Sequence, residues 1–279
     1  MTVVTADEQR SGLKPRALIV TTYGAFAREA GGWLSVASLI RLMAELGVDE
    51  PSVRSSISRL KHRGMLAAAR VDGAAGYELS ARAREILAEG DRRIFQRPES
   101  QVSDGWVLVI YSVPESERDR RHILRSKLTW LGFGTAAPGV WIAPAHLYDE
   151  ARETLARLEL TPYVDLFRAD HLAFADVRAC VGHWWNLAAL QSMYDEFLTA
   201  WQPVLARWRR RRSPDDGRAF ADYVRALTDW RRLPFLDPGL PVELLPRNWH
   251  GSRAADLFDS IERTLHVPAQ RHVREVTGP

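Results

Sequence analysis

The segment from Glu50 to Leu66, EPSVRSSISRLKHRGML, constrains this chain most, because its apolar residues recur at helical spacing among small and basic ones. Val53, Ile57 and Leu60 are spaced i, i+4 and i+7, so they form one apolar stripe along a helix. The opposite side is short, polar and basic. It carries Ser52, Arg54, Ser55, Ser58, Arg59 and His62. The stripe therefore predicts which side of the helix is buried.

Local signals predict where this helix and the one before it begin and end. Asp49 is the expected N-cap of the basic helix, and Gly64 is expected to end it. Upstream, WLSVASLIRLMAELGV predicts a short amphipathic helix with Ser35 as its N-cap and Gly47 at its carboxy-terminal cap. The sequence therefore predicts two helices joined by the short turn GVDE.

The flanking elements extend this pair. KPRALIVTTYGAFAREAGG predicts an earlier helix that opens near Pro15 and stops at Gly31 and Gly32. After the basic helix, MLAAARV, DGAAG and YELS predict two brief strands joined by a glycine-containing turn, and Arg70 lies on this hairpin. Three helices followed by a β-hairpin is the order of a winged helix-turn-helix, which places one helix in the DNA major groove.

The charge distribution favours the same interpretation. The net charge is only +3, from 38 Lys and Arg against 35 Asp and Glu. Between Glu50 and Arg70, however, five basic residues face one acidic residue, and phosphate binding depends on such local clusters. A solvated helix with scattered charges is the alternative, and the order of the surrounding elements favours DNA binding. The predicted DNA-contacting residues are Ser52, Arg54, Ser55, Ser58, Arg59, His62 and Arg70.

The rest of the chain predicts two further domains after a winged helix-turn-helix domain with its linker helix at 13–97. Residues 104–172 alternate as strand, helix, strand, helix, strand, with Ile123, Leu124, Leu128 and Leu131 expected on the inner side of the first helix. This order predicts a ferredoxin-like α+β domain. Residues 176–275 are predicted to form an all-helical carboxy-terminal domain. The fold class is therefore multidomain α+β.

Several residue groups outside the first domain could bind ligands. Cys180 and His183 have the Cys-x-x-His spacing of two metal ligands. A structural zinc site needs four ligands, so packing is the preferred interpretation for both residues. The run Arg209–Arg212 could bind a coenzyme A phosphate or DNA. The simpler interpretation is a solvated helix end whose positive charges complement the helix dipole. Trp141, His183 and Trp184 are kept as candidate effector-binding residues. No P-loop, nucleophile elbow or zinc-protease motif occurs, so no catalytic residue, metal or cofactor is predicted.

Two stretches resemble a known family. GGWLSVASLIRLMAELGVDEPSVRSSISRLKHRGML, followed by YELSARAREIL, resembles the amino-terminal domain of the PaaX family, transcriptional regulators of the phenylacetic-acid-degradation type. WNLAALQSMYDEFL and RRLPFLDPGLPVELLPRNWHG resemble its carboxy-terminal region, so the resemblance runs in order from about Lys14 to Leu265. It implies a repressor that binds a palindromic double-stranded operator as a homodimer. It also implies release by a small effector, with an aryl-acyl-CoA thioester such as phenylacetyl-CoA as the first candidate.

Two other functions remain as alternatives. The family's middle domain is similar to a CRISPR-associated nuclease of ferredoxin-like fold, in which an aspartate at the end of the first strand holds a metal. Here VIYSVP places Ser112 at that position, and a hydroxyl cannot replace a carboxylate as a ligand for Mg²⁺ at comparable strength. Asp119 lies among arginines and is interpreted as a surface ion-pair partner. Nuclease activity is therefore discounted, and a non-DNA adaptor protein is the third possibility.

The sequence predicts a cytoplasmic location. Its longest apolar runs, such as ALIVTTYGAFA and WVLVIYSV, are too short to cross a bilayer. The amino terminus MTVVTADEQRSG lacks the apolar region of a secretory signal. The single Cys180 excludes an intramolecular disulfide framework, and no membrane partner is expected.

Overall fold

The computed structural model describes residues 13–28, 31–96, 100–172, 174–213 and 215–278. Its helices are α1 (Pro15–Thr22), α2 (Val36–Glu45), α3 (Glu50–His62), α4 (Ala81–Phe95), α5 (Arg118–Trp130), α6 (Tyr148–Arg157), α7 (Val177–Trp184), α8 (Leu187–Arg209), α9 (Asp216–Trp230), α10 (Leu233–Leu236) and α11 (Gly251–Thr277). Its strands are β1 (Trp33–Ser35), β2 (Leu66–Val71), β3 (Ala74–Leu79), β4 (Trp106–Tyr111), β5 (Gly134–Ala137), β6 (Val140–Pro144) and β7 (Val164–Ala169).

Packing divides the chain into two units. The first unit comprises Met1–Arg92, Glu196–Arg231 and Ser252–Pro279, and the second comprises Arg93–Asp195 and Arg232–Gly251. The first unit thus joins the predicted DNA-binding segment to helices of the predicted carboxy-terminal segment.

The amino-terminal part of the first unit has the element order of a winged helix-turn-helix. Its three strands form an antiparallel sheet in the order β1-β3-β2. Strand β1, which sequence reasoning missed, pairs with β3 so that Leu34 lies opposite Tyr77 and Ser35 opposite Gly76. A side chain at Gly76 would lie 2.4 Å from the Leu34 carbonyl oxygen, so only glycine permits this close pairing.

Helices α9 and α11 share a core with α1 in the first unit. Beyond α1 the chain continues as a π-helical turn, and its Phe26 lies 5.9 Å from the rings of Phe220, Tyr223 and His266. Thr228 on α9 donates a hydrogen bond to Thr21 on α1 over 2.8 Å. The helix-turn-helix is therefore packed directly on helices from the other end of the chain.

The end of α11 lies against α2. Arg41 donates to the carbonyl of Val276 over 2.7 Å, and Ser38 donates to the same oxygen over 3.2 Å. One turn earlier, His272 Nε2 lies 2.8 Å from a Glu45 carboxylate oxygen. Because α11 ends in unpaired carbonyls with a partial negative charge, a guanidinium at this position stabilises the helix end.

The second unit contains the ferredoxin-like domain. Its antiparallel sheet has the order β5-β6-β4-β7, with α5 and α6 packed on one face. A buried core on that face includes Val109, Leu124, Leu128 and Leu155. The opposite face is covered by Val181 of α7 and by the segment 240–249. Among the described helices, none has the length and apolarity needed to cross a membrane.

Two predictions are wrong: the burial of Ile123 and the continuity of the helical region that begins at residue 176. Ile123 is 43% exposed, whereas its neighbours Leu124, Leu128 and Leu131 are buried as predicted. The helical region predicted from residue 176 onward is interrupted between α7 and α8, because Trp185 adopts an extended backbone. Its indole N–H donates to the Gly132 carbonyl over 2.8 Å, an interaction that a continuous helix would not provide.

The contrast between two adjacent residues of α5 gives a test. We expect Leu124→Ala to lower the free energy of unfolding by about 2–5 kcal/mol, because it removes a fully buried side chain. Ile123→Ala, at an exposed position, should change it by less than about 1 kcal/mol. Urea denaturation monitored by Trp fluorescence measures both. Equal losses would mean that Ile123 faces the core after all.

Candidate nucleic-acid interface

The buried stripe of α3 sets the orientation of this helix. Val53 is fully buried, and Ile57 and Leu60 are 3% exposed, which confirms the predicted inner side. Helix α3 packs through them against α1, α2 and β2. Arg54, Ser55, Ser58, Arg59 and His62 are exposed as predicted, and Ser52 is half-buried.

Asp49 is the N-cap of α3, as predicted, and it binds Ser52, one of the predicted DNA-contacting residues. Its carboxylate accepts a hydrogen bond from the Ser52 backbone N–H over 2.8 Å and another from the Ser52 hydroxyl over 3.2 Å. These bonds hold the pKa of Asp49 below its ordinary value of 3.8. Of the predicted contact residues, Ser52 is thus engaged in the cap, and its hydroxyl can donate to a ligand only by breaking its bond with Asp49.

The two arginines on the outer face of α3 differ in their surroundings. Arg54 forms an ion pair with Glu50 one turn earlier, at 2.7 Å between guanidinium and carboxylate, and both side chains are more than half exposed. The side chains of Arg59 and His62 have no hydrogen-bond or ion-pair partner among the described residues. The charge of Arg59 is therefore available to an external anion, and that of Arg54 is partly neutralised.

The hairpin after α3 is tighter than predicted. Its turn is Asp72-Gly73, with φ of 49° and 79°, and Ala74 to Gly76 belong to β3 instead of the turn. Positive φ at both central residues is the geometry that joins two-residue hairpins, and Asp-Gly favours it. Arg70 is exposed on β2, with its guanidinium 3.5 Å from the Gly73 carbonyl. The predicted wing residue therefore stands at the hairpin tip.

A cleft of about 400 Å³ separates α3 from the hairpin. It is lined by Val36, Arg54, Ile57, Ser58, Lys61 and Tyr77. Lys61 lies over the Tyr77 ring at 5.7 Å, and the Tyr77 carbonyl accepts a hydrogen bond from Tyr23. Sequence reasoning counted Lys61 as local charge but missed it as a site residue. The signal was its spacing of i+3 from Ser58 and i+7 from Arg54, which places all three on one face.

The three candidate effector residues do not form one site. Trp141 is 6% exposed in the core between the second unit's sheet and its helices, whereas Trp184 packs against Trp106 on the opposite sheet face. His183 is exposed, with Nδ1 2.8 Å from the Ala179 carbonyl oxygen. Cys180 Sγ lies 3.8 Å from His171 Nε2. In the described ranges, no three His, Cys, Asp or Glu residues are grouped as a metal site.

Ser112 directly follows β4, the first strand of the second unit, as the sequence indicated. Ser112 is exposed just after β4, and its backbone N–H donates to the Tyr163 carbonyl over 3.0 Å. The arginines around Asp119 pair with other acids: Arg120 with Glu117 and Arg121 with Glu115. No ion pair of Asp119 is formed with a described residue, so its expected role as an ion-pair partner finds no support.

Comparisons with known proteins agree along the chain. The family model described as "PaaX-like protein" matches residues 14–83, "PaaX protein central Cas2-like domain" matches 99–181, and "PaaX-like protein C-terminal domain" matches 185–275. "Transcriptional repressor PaaX" from Escherichia coli strain K12 is 28% identical over 265 residues, which cover 92% of this chain and 82% of that protein. "Uncharacterized protein Rv0674" from Mycobacterium tuberculosis has a similar fold. Its TM-score is 0.58 at 21% identity, over 92% of this chain and 96% of the other.

The cap of α3 gives a test of how this surface is held. We expect Asp49→Ala to lower the midpoint of thermal unfolding at neutral pH, because the variant cannot form the two hydrogen bonds to Ser52. Since the folded-state pKa of Asp49 lies below the unfolded value, its contribution is complete above pH 3.8 and is lost as the pH falls further. The difference between parent and variant should therefore shrink in acid.

Asp49→Asn is the matched control for this cap, since its single amide oxygen still accepts the bond from the Ser52 backbone N–H. In thermal unfolding followed by circular dichroism its midpoint at neutral pH should lie between those of the parent and Asp49→Ala, because it keeps a hydrogen bond but lacks the negative charge. Its difference from Asp49→Ala should not depend on the ionisation of residue 49. Identical midpoints for Asp49→Ala and the parent at neutral pH would show that the cap contributes nothing.

Proposed function

The chain belongs to the PaaX family, and from this premise we propose that it is a transcriptional repressor that binds duplex DNA through α3 and the following hairpin. The observation that carries the proposal is the outer face of α3, where Ser55, Ser58 and Arg59 are exposed beside a buried apolar stripe. A major groove about 12 Å wide admits one α-helix.

The proposed roles of the individual residues follow from side-chain chemistry. Arg59 can form two parallel hydrogen bonds with a guanine edge, and the small serines let the helix backbone come near the base pairs. Arg70 on the hairpin and Lys61 in the cleft beside α3 are suited to phosphates, which fix orientation without reading sequence. Arg54 must exchange Glu50 for a DNA acceptor on binding.

The finer parts of the proposal concern assembly and release. We propose a homodimer on a palindromic operator, because two-fold symmetry in the protein is matched by half-sites about one helical turn or a multiple apart. We propose further that a small effector, an acyl-CoA thioester, favours a geometry in which the two α3 helices no longer match that spacing. To move the population from mostly bound to mostly free, the effector must prefer that geometry by about 5 kcal/mol.

The first test removes the charged contacts of α3. Arg59→Ala and Arg54→Ala should each weaken binding to the protein's own upstream DNA by about 1–3 kcal/mol without loss of folding, because each removes a charge-assisted contact. Fluorescence anisotropy at fixed salt measures the change. The control is Arg152→Ala, which removes an exposed arginine from α6. If both α3 variants bind as tightly as the control, α3 does not contact DNA.

Glu50 supplies a test with the opposite sign. Its carboxylate is exposed in the first turn of α3 and holds Arg54. Glu50→Gln should tighten DNA binding several-fold at low salt, since it removes a negative charge from a surface that meets phosphates and frees Arg54. The gain should fade as salt screens these charges. Weaker binding of Glu50→Gln would mean that Arg54 needs Glu50 to be positioned.

The effector proposal is tested separately. Phenylacetyl-CoA should raise the dissociation constant for operator DNA in the anisotropy assay and raise the thermal midpoint of the free protein. Coenzyme A alone is the control for its nucleotide part. No change in either measurement with phenylacetyl-CoA or other acyl-CoA thioesters would eliminate this effector class. In a separate assay, cleavage of labelled DNA in the presence of Mg²⁺ would indicate a nuclease instead of a repressor.

A further inference from the structure

The end of α8 in the first unit carries an unusual concentration of arginines. Arg209 is the last residue of α8, and Arg210, Arg211 and Arg212 follow in the connection to α9. All four are exposed. Since the first unit also contains the helix-turn-helix, these charges share a compact body with the proposed DNA-reading surface.

Only some of the arginines at the end of α8 form ion pairs within the protein. Arg211 pairs with Asp215 at 2.5 Å and lies over the Trp208 ring at 5.0 Å. Arg207, within the last turn of α8, pairs with the buried Asp222 at 3.3 Å. Arg209, Arg210 and Arg212, by contrast, form no side-chain hydrogen bond or ion pair with any residue in the described ranges. We call these three residues the arginine cluster.

The arginine cluster is not explained by helix stability. A cation near the carboxy terminus of a helix complements its dipole, and Arg209 can do so. Arg210 and Arg212 lie beyond the last residue of α8, and the like charges of the three residues repel one another. The helix dipole therefore does not account for all three charges, and they remain available to a polyanion.

Neighbouring residues along the chain fasten this segment beside the helix-turn-helix. Arg211 holds Asp215, the N-cap of α9, whose carboxylate accepts from the Arg218 N–H. Two residues after this cap, a side chain at Gly217 would lie 3.6 Å from the Glu45 carboxylate at the end of α2. Helix α3 begins five residues after Glu45.

This anchoring limits how far the cluster can lie from the end of α2. Arg212 lies five residues before Gly217, so an extended chain spans at most about 18 Å between them. One turn of duplex DNA is about 34 Å long. Arg212 therefore lies less than one turn of duplex DNA from Gly217, beside the end of α2.

We propose that the arginine cluster, Arg209, Arg210 and Arg212, is a second DNA contact that binds the phosphate backbone next to the segment read by α3. This proposal rests on the proposed function and adds a surface to it. Guanidiniums that meet the backbone do not read base edges, and three exposed ones suit a large polyanion that can reach all of them at once. The cluster contributes affinity and orientation, with sequence selection left to α3.

The experiment compares how DNA binding depends on salt. Removing one phosphate-binding side chain reduces the slope of log Kd against log salt concentration by about 0.9, so the triple variant Arg209→Ala/Arg210→Ala/Arg212→Ala should lower that slope by about 2–3. It should weaken binding to operator and to unrelated duplex by the same factor. The control variant Arg118→Ala/Arg125→Ala/Arg152→Ala removes the same charge from exposed positions of α5 and α6 and should keep the parent slope.

Further arms of the experiment separate the possible outcomes. Arg209→Lys/Arg210→Lys/Arg212→Lys keeps the charge and should keep most of the slope, which shows that a lower slope in the alanine variant comes from the missing charge. An unchanged slope in the alanine variant overturns the inference. Loss of coenzyme A binding with normal DNA binding also overturns it, since the cluster would then be a nucleotide site. If Arg59→Ala weakens binding while the alanine cluster variant does not, the inference fails and the proposed function stands.

Discussion

Burial of Val53, Ile57 and Leu60 is the interaction on which the geometry of the proposed interface depends. Each of these side chains contributes about 1.5–3 kcal/mol when removed from water, so the stripe as a whole outweighs any single contact on the outer face. A rotation of α3 by one residue would expose part of the stripe and push Arg54 toward the core, where an unpaired guanidinium is far more costly. One rotational setting is therefore strongly preferred, and the polar side has a defined direction before any ligand is present.

The carboxy-terminal helices of the first unit lie against the helix-turn-helix itself. Phe26 shares its core with α9 and α11, and Arg41 and Ser38 on α2 hold the last turn of α11. A ligand that shifts an equilibrium must bind its two states with different affinity. For this chain, a state that repacks α9 or α11 would act on α1 and α2 through direct contacts, without a long chain of intermediate residues. A regulatory function would thus need only small movements within one unit.

Local features of the fold could be predicted from the sequence, and those that depend on distant partners could not. The caps at Ser35 and Asp49 were predictable because each involves residues three apart. Strand β1 was missed because three residues carry too little pattern, and its pairing depends on β3 more than forty residues later. The exposure of Ile123 was missed because periodicity does not say how wide the buried face of a helix is. For the candidate site, the stripe predicted the outer face of α3, but the ion pair of Arg54 and the separation of Trp141 from Trp184 depend on tertiary packing.

The difference between a solvated basic helix and a binding surface lies in what neutralises the charge. By composition α5 is more basic than α3, since it carries five Lys and Arg residues against three in α3. Arg120 and Arg121 of α5 pair with Glu117 and Glu115 just before its first turn, which offsets part of its charge. Arg59 and the arginine cluster have no such partners among the described residues. In a chain with a net charge of only +3, unpaired arginines of this kind create the local potential that attracts a phosphate backbone. A count of basic residues would rank α5 above α3, so composition alone does not identify the proposed interface.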